Sequence, residues 1–314
     1  MLIPSIALRF GHRRQLTPPS RCRQRPWRTL AAYLTLWLAL TIVAAASAHA
    51  SLQQGGAAYK AGRFEAAFKH FLAEARKGTP VAQYLVASMY EEGRGALKSE
   101  TLAASWYKLA ADQGDGESQY ALALQHLDGR GVVQSAERAA KLLKQAADGG
   151  LTSAMNRLGT LYLQGQGVKR DATRAVVLFK QAAKAGHLSA RYNVGRAYLQ
   201  GDGIAQDAAA AKHWLEIAAL GQHPGAQLRL GTAFAQGRFG LVDEAIASAW
   251  MTLAAEQGLQ LAKTNLDILD NRLDPGQRAK ALEELKRLRA RIRAHRTRSA
   301  KPTDSTISTT PYTE

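Results

Sequence analysis

Ser105-Trp106-Tyr107-Lys108 places a hydroxyl and an amine three residues apart, the S-x-x-K spacing of a serine that β-lactams acylate. The partner motifs of that chemistry, S-D-N and K-T-G, occur nowhere in the chain. Trp106 and Tyr107 have the character of packing residues, so the pair reads as two turns of an amphipathic helix rather than as a nucleophile with its base. The Gly-x-Gly turns, such as Gly165-Gln166-Gly167, lack both the third glycine and the preceding strand of a dinucleotide-binding loop. No P-loop, H-E-x-x-H or G-x-S-x-G is present, and His126, His187, His213 and His223 lack metal-ligand spacing. Glu91-Glu92 reads as a solvated helix end. No catalytic residue, cofactor site or metal site is expected, and the chain reads as a protein that is not an enzyme.

Charge and leader say where such a protein works. The 314 residues hold 42 Lys and Arg against 25 Asp and Glu, a formal net charge of +17, and 46% are hydrophobic, enough to bury a core. The excess is terminal. Residues 1–50 contain seven Arg and no acid, residues 278–314 contain ten bases and four acids, and residues 51–277 are nearly balanced. A nucleic-acid protein would carry its charge on the folded face instead, so no nucleic-acid partner is expected. A basic lead from Arg9 to Arg28, an apolar run from Thr29 to Ser47 and the small-residue exit Ala48-His49-Ala50 make 1–50 a secretory signal peptide. The alternative is an uncleaved signal anchor, since the run approaches the roughly 20 residues that span a bilayer. Either way the remainder is expected outside the cytoplasm, in the periplasm or anchored facing it. The only cysteine, Cys22, lies in that leader, so no disulfide is expected beyond it.

The organising signal is a period of 36 residues. Ala67, Ala103, Ala139, Ala175, Ala211 and Ala247 share one phase; Gly78, Gly114, Gly150, Gly186 and Gly258 share another, with Gly221 one residue early. Ser99, Ser135, Asp171, Asp207 and Asp243 form a third column, all able to accept from an unpaired amide at a helix start. In the third repeat, Ala154, Leu158 and Leu161 make one apolar stripe on a first helix, which ends at Gly165. Asp171 then caps a second helix carrying Ala175, Leu178 and Ala182, and Gly186 closes it. Small residues at Ala87, Ala123, Gly159, Gly195 and Gly231 allow close approach. Tyr90, His126, Tyr162, Tyr198 and Phe234, with Trp106, Leu142, Leu178, Trp214 and Trp250, read as the core between repeats.

The pattern predicts an all-α solenoid of stacked antiparallel helix pairs. Residues 51–78 form an N-terminal capping pair and residues 79–258 five repeats. Residues 259–295 form a C-terminal capping pair with an apolar face of Leu282, Leu285, Leu288 and Ile292 and a basic remainder. Residues 296–314 form a disordered tail.

The run Leu158-Gly159-Thr160-Leu161-Tyr162, then Gly165-Gln166-Gly167-Val168, Asp171, Ala175, Ala182-Ala183 and Gly186, resembles the SEL-one-like repeat, a relative of the tetratricopeptide repeat. The resemblance covers 79–258, and residues 51–78 look more like a tetratricopeptide unit. It implies a right-handed α/α superhelix acting as an adaptor, including periplasmic regulators of signalling and scaffolds of envelope or polysaccharide assembly, and it implies no catalytic residues. Secreted relatives linked to β-lactam binding are stapled by a cysteine pair in each repeat, and this chain has none of those cysteines.

Recognition then falls to positions where stacking is indifferent. On the first helices these are the columns holding Arg157, Asn193 and Arg229; Thr160, Arg196 and Thr232; and Gln164, Gln200 and Gln236. Within a repeat they lie at i, i+3 and i+7, away from the apolar stripe, so stacking should join them into a strip. That strip is either ordinary wet surface or a concave groove, acidic in the first two repeats and basic in the next three, that holds an extended segment of a protein partner or an acidic polysaccharide. The basic C-terminal helix is a second candidate, for an anionic membrane surface or an acidic polymer. The functional expectation is a periplasmic interaction scaffold or regulator. The alternatives are a structural component of an envelope assembly and a β-lactam-binding hydrolase.

Overall fold

The computed structural model describes residues 50–299; the expected leader and most of the expected C-terminal tail lie outside them. The described residues from 54 onward form one compact unit. Among the described residues all regular structure is helical. The chain opens with α1 (50–60) and α2 (Phe64–Arg76). Five antiparallel pairs follow: α3 (Pro80–Glu92) with α4 (Glu100–Ala111), α5 (Gly116–Asp128) with α6 (Ala136–Asp148), α7 (Thr152–Gln164) with α8 (Ala172–Lys184), α9 (Leu188–Gln200) with α10 (Ala208–Leu220), and α11 (Pro224–Ala235) with α12 (Glu244–Glu256). The last two helices are α13 (Gln260–Asp270) and α14 (Pro275–Ser299). From α2 through α13 each helix packs on the next in order, so the pairs stack.

The capping column works as its chemistry requires. Ser99, Ser135, Asp171, Asp207 and Asp243 each accept from the backbone N–H three residues on, at 3.3, 3.3, 2.9, 2.9 and 2.9 Å. Gly93, Gly129, Gly165 and Gly201 end the first helices in the left-handed conformation. The second helices close on a left-handed glycine one or two residues beyond the cap in four of the five repeats. In the fourth the early glycine, Gly221, leaves that conformation to Gln222, at φ 66°.

The core differs in one respect from the sequence expectation. The alanine column at 67, 103, 139, 175, 211 and 247 is fully buried, and so is the column Phe71, Tyr107, Leu143, Phe179, Leu215 and Met251. The Trp106 column stands one residue earlier, and Trp106, Leu142, Leu178 and Trp214 are only half-buried; Trp250 alone is enclosed. One residue turns a helix by about 100°, which moves those rings from the centre of the interface to its rim. The small residues of the first helices serve the inner column: a Cβ on Gly159 would stand 2.7 Å from the Phe179 ring, and one on Gly195 2.7 Å from Leu215.

A further tie between helices has no counterpart in the apolar pattern. Gln83, Gln119, Arg191 and Gln227 occupy one column and each donates to the carbonyl eight residues earlier, at 3.1–3.2 Å, satisfying the exit of the preceding second helix. Glu91 is another correction. Its carboxylate accepts from the Tyr107 hydroxyl at 2.9 Å and pairs with Arg130 at 2.6 Å, so it joins the first two repeats rather than ending a helix in water.

The C-terminus departs furthest from expectation. α14 packs chiefly on α12 and reaches α10, rather than pairing with α13. Its buried stripe is Ala281, Leu285 and Leu288 with Ile292 half-buried, while Leu282 is 60% exposed. The face it covers on α12, Ala245, Ala249 and Leu253, is buried; the equivalent Thr173, Val177 and Gln181 on α8 are exposed. Apolar side chains at those α12 positions reward coverage, so α14 folds back along them instead of extending the stack. Arg289 to Glu256 at 2.5 Å and Arg291 to Glu216 at 3.2 Å tie its far half down. The helix also continues to Ser299, so residues 296–299, read above as tail, are helical; Arg and Ala favour helix, and the next proline is Pro302.

Candidate functional site

The S-x-x-K pair is engaged in local helix chemistry. The Ser105 hydroxyl donates to the Thr101 carbonyl at 2.9 Å, and the Lys108 ammonium pairs with Asp112 at 2.5 Å. The two groups are thus bonded to other partners and not to each other. Among the described residues no group of three His, Cys, Asp or Glu is arranged to hold a metal, and no helix is long and apolar enough to cross a membrane.

The first-helix strip has a graded burial. Arg157, Asn193 and Arg229 are half-buried, as are Thr160, Arg196 and Thr232, whereas Gln164, Gln200 and Gln236 at the helix ends are exposed. The structure links the strip across repeats: the Asn193 amide donates to the Asn156 side-chain oxygen at 2.9 Å, joining α9 to α7. Thr160 and Thr232 turn their hydroxyls back onto the carbonyls of Asn156 and Leu228, which leaves their methyl groups and oxygen lone pairs for contact. No hydrogen bond joins Gln164, Gln200 and Gln236 to one another.

A neighbouring column, Tyr84, Tyr120, Asn156, Tyr192 and Leu228, is also half-buried and completes the surface. Its signal in the sequence is three tyrosines in phase, masked by the more continuous aromatic column of Tyr90, six residues on.

Electrostatics divides the strip. Burial, then Glu117, Asp115, Glu91 and Glu92, hold the Tyr84 phenol above its ordinary pKa. For Tyr120 burial again raises it, while Arg157 pulls the other way. The change of sign therefore falls between the first and third repeats. Among the described residues none of Arg157, Arg196 and Arg229 has a carboxylate within ion-pair distance, and the buried Nε of Arg157 has no acceptor.

Two histidines bordering the same helices make the fold sensitive to acid. His187 and His223 cap α9 and α11, each accepting at Nδ1 from a backbone N–H at 3.2 Å, and His223 stacks on Tyr192 with ring centres 4.7 Å apart. An accepting Nδ1 must be unprotonated. Burial lowers both pKa values, and His187 adds to the lowering at His223, which its own backbone bond opposes. A folded pKa below the unfolded value of about 6.5 gives stability that is complete above pH 6.5 and lost as pH falls through that value and then through the folded one. Stability should therefore fall between pH 7.5 and pH 5, by on the order of 1 kcal/mol per cap at most, and the melting temperature should fall with it. The double variant His187→Asn/His223→Asn, whose caps do not titrate, should show a visibly flatter profile; parallel profiles would refute the assignment.

Comparison with known proteins agrees with this architecture. The Sel1 repeat profile matches residues 80–115, 116–151, 152–187, 188–223 and 224–259, together more than half of the chain. Among solved structures, a Sel1 repeat protein from Oxalobacter formigenes superposes with a TM-score of 0.67 at 24% identity, over 82% of this chain and 99% of that one. The protective antigen c5321 of uropathogenic Escherichia coli, described as displaying an SLR fold, gives 0.65 at 25% identity over 79% of this chain; the chain spans 54% of that antigen's length. No curated protein sequence matches significantly. Five matched repeats in the register of the five helix pairs α3 to α12, capped and closed by the same columns, make this chain a member of the Sel1 repeat family.

Proposed function

We propose that the chain is an exported scaffold or regulator that holds an extended, acidic segment of a protein partner along the first-helix strip. Sel1 repeat proteins generally bind protein partners, and the observation that carries the finer reading is the set Arg157, Arg196 and Arg229. These are three guanidiniums on successive first helices, half-buried and without carboxylate partners among the described residues. A guanidinium fork suits a carboxylate, and partial burial strengthens the pair relative to one in bulk water. The segment's acidic residues lie over repeats three to five, while Tyr84, Tyr120 and the acidic first repeats take its opposite end. Export to the periplasm is supported by the basic lead, apolar run and small-residue exit of residues 1–50.

Cross-linking in cells followed by mass spectrometry supplies the partner, and Arg157→Ala/Arg196→Ala/Arg229→Ala supplies the test. The triple variant should bind that partner about tenfold more weakly, with a reduced salt dependence, and melt at the parent temperature. Unchanged capture would remove the groove from the account.

A further inference from the structure

The second helices of the first two repeats border a cavity of about 660 Å³ that lies apart from the first-helix strip. Two residue choices set its lining apart from the equivalent seams of the other repeats. Repeats one, three, four and five place Tyr90, Tyr162, Tyr198 or Phe234 in the rim column of the first helix, and three of them place a tryptophan in the rim column of the second. The second repeat alone has neither ring, holding His126 and Leu142 instead, and both line the cavity. The space is an open groove rather than an enclosed chamber, of a size small molecules occupy.

Its lining has a definite chemistry. Lys108, Arg138 and Lys141 stand around it; Lys108 is paired with Asp112, but Arg138 and Lys141 have no carboxylate partner among the described residues. Leu122, Val132 and Leu142 supply an apolar wall. His126 is 8% exposed, and its Nδ1 lies 3.0 Å from the Val133 carbonyl. That carbonyl can only accept, so Nδ1 carries the hydrogen and Nε2, without a partner among the described residues, is left to accept from a ligand hydroxyl.

We propose that this cavity binds a small oxyanion, a carboxylate or phosphate monoester on an apolar core. Arg138 and Lys141 meet the anion, the leucine and valine wall takes the core, and His126 Nε2 receives a hydroxyl on its far side. The site is independent of the first-helix strip, so either can fail without the other.

Titration calorimetry on the full chain with 4-hydroxybenzoate and phenyl phosphate tests it, with phenol as the uncharged control. At least one anion should bind with a Kd of about 0.1–1 mM and phenol should not. Arg138→Ala/Lys141→Ala, both at exposed positions, should weaken binding about tenfold or more. His126→Tyr, which restores the side chain of three other repeats, should refill the cavity and abolish binding without lowering the melting temperature. The arginine triple variant should bind the probes as the parent does. The proposal is overturned if neither anion binds, if phenol binds equally well, or if binding survives both His126→Tyr and loss of the two cations.

Discussion

Gly167→Ala is expected to destabilise the solenoid by about 3 kcal/mol or more, while Gly186→Ala costs only about 1–2 kcal/mol. Both glycines have positive φ, 68° and 98°, and both pay the left-handed penalty of an L residue. They differ in what a Cβ would meet. Nothing lies within 4 Å of it at Gly186 except the end of the Arg191 side chain, at 3.9 Å. At Gly167 it would overlap the carbonyl of Ala136, the first residue of α6 in the preceding repeat. Backbone at a capped helix start has no rotamer to change, so the loop must lift from its neighbour. Gly95, Gly131 and Gly203 meet the second helix of the preceding repeat in the same way. The second glycine of each Gly-x-Gly turn is thus an inter-repeat joint, and the first, such as Gly165, is the helix exit. Denaturant unfolding of the three variants Gly165→Ala, Gly167→Ala and Gly186→Ala measures the contrast. Equal losses at 167 and 186 would show that conformation alone, and not the joint, explains the glycine.

Gln125→Leu is expected to act in the opposite direction, stabilising the chain by about 2 kcal/mol. Gln125 is fully buried, and neither its amide nitrogen nor its oxygen has a hydrogen-bond partner. Its column otherwise holds Met89, Leu161, Ala197 and Ala233, all buried. Leucine has nearly the same volume and no polar atoms to strand, so it removes the desolvation penalty without opening a void. Ser118 presents the same anomaly two turns earlier in an alanine column, with a buried and unpartnered hydroxyl. For a chain of this size the expected gain raises the melting temperature by roughly 4–8 °C. A lower melting temperature for Gln125→Leu would mean that the amide is solvated where it stands.

Both results bear on how much the residue pattern discloses. The capping column was legible because an oxygen-bearing side chain at a fixed offset from an apolar stripe has one local use, and Ser99 through Asp243 each make that bond. The buried alanine column was legible for a similar reason, since a 36-residue spacing of small residues has no purpose except packing. The Trp106 column misled, because a large ring suggests a core but the adjacent Tyr107 column points inward. Periodicity gives the stripe; the angle at which two helices meet chooses between neighbours on it.

The candidate site divides in the same way. Arg157, Arg196 and Arg229 could be singled out because no packing role accounts for them. Their lack of acid partners, the Asn156–Asn193 bond and the Tyr84 column depend on which helix lies beside which. The groove at His126 was invisible in one dimension, since His126 and Leu142, 16 residues apart, line a common space only when α5 and α6 are folded together.

By itself the residue order determined the period, the helix pairs, their caps and exits, the fold class and the resemblance that the Sel1 repeat match confirms, because each rests on interactions within about one repeat's length of chain. Only the tertiary structure decided that α14 folds back over α12 and α10, that Glu91 joins two repeats, that the second loop glycine touches a neighbouring helix, and where cations stand unpaired. Those outcomes are set by which surfaces compete for burial and by charges brought together from distant parts of the chain, and neither distance nor competition is written in local sequence.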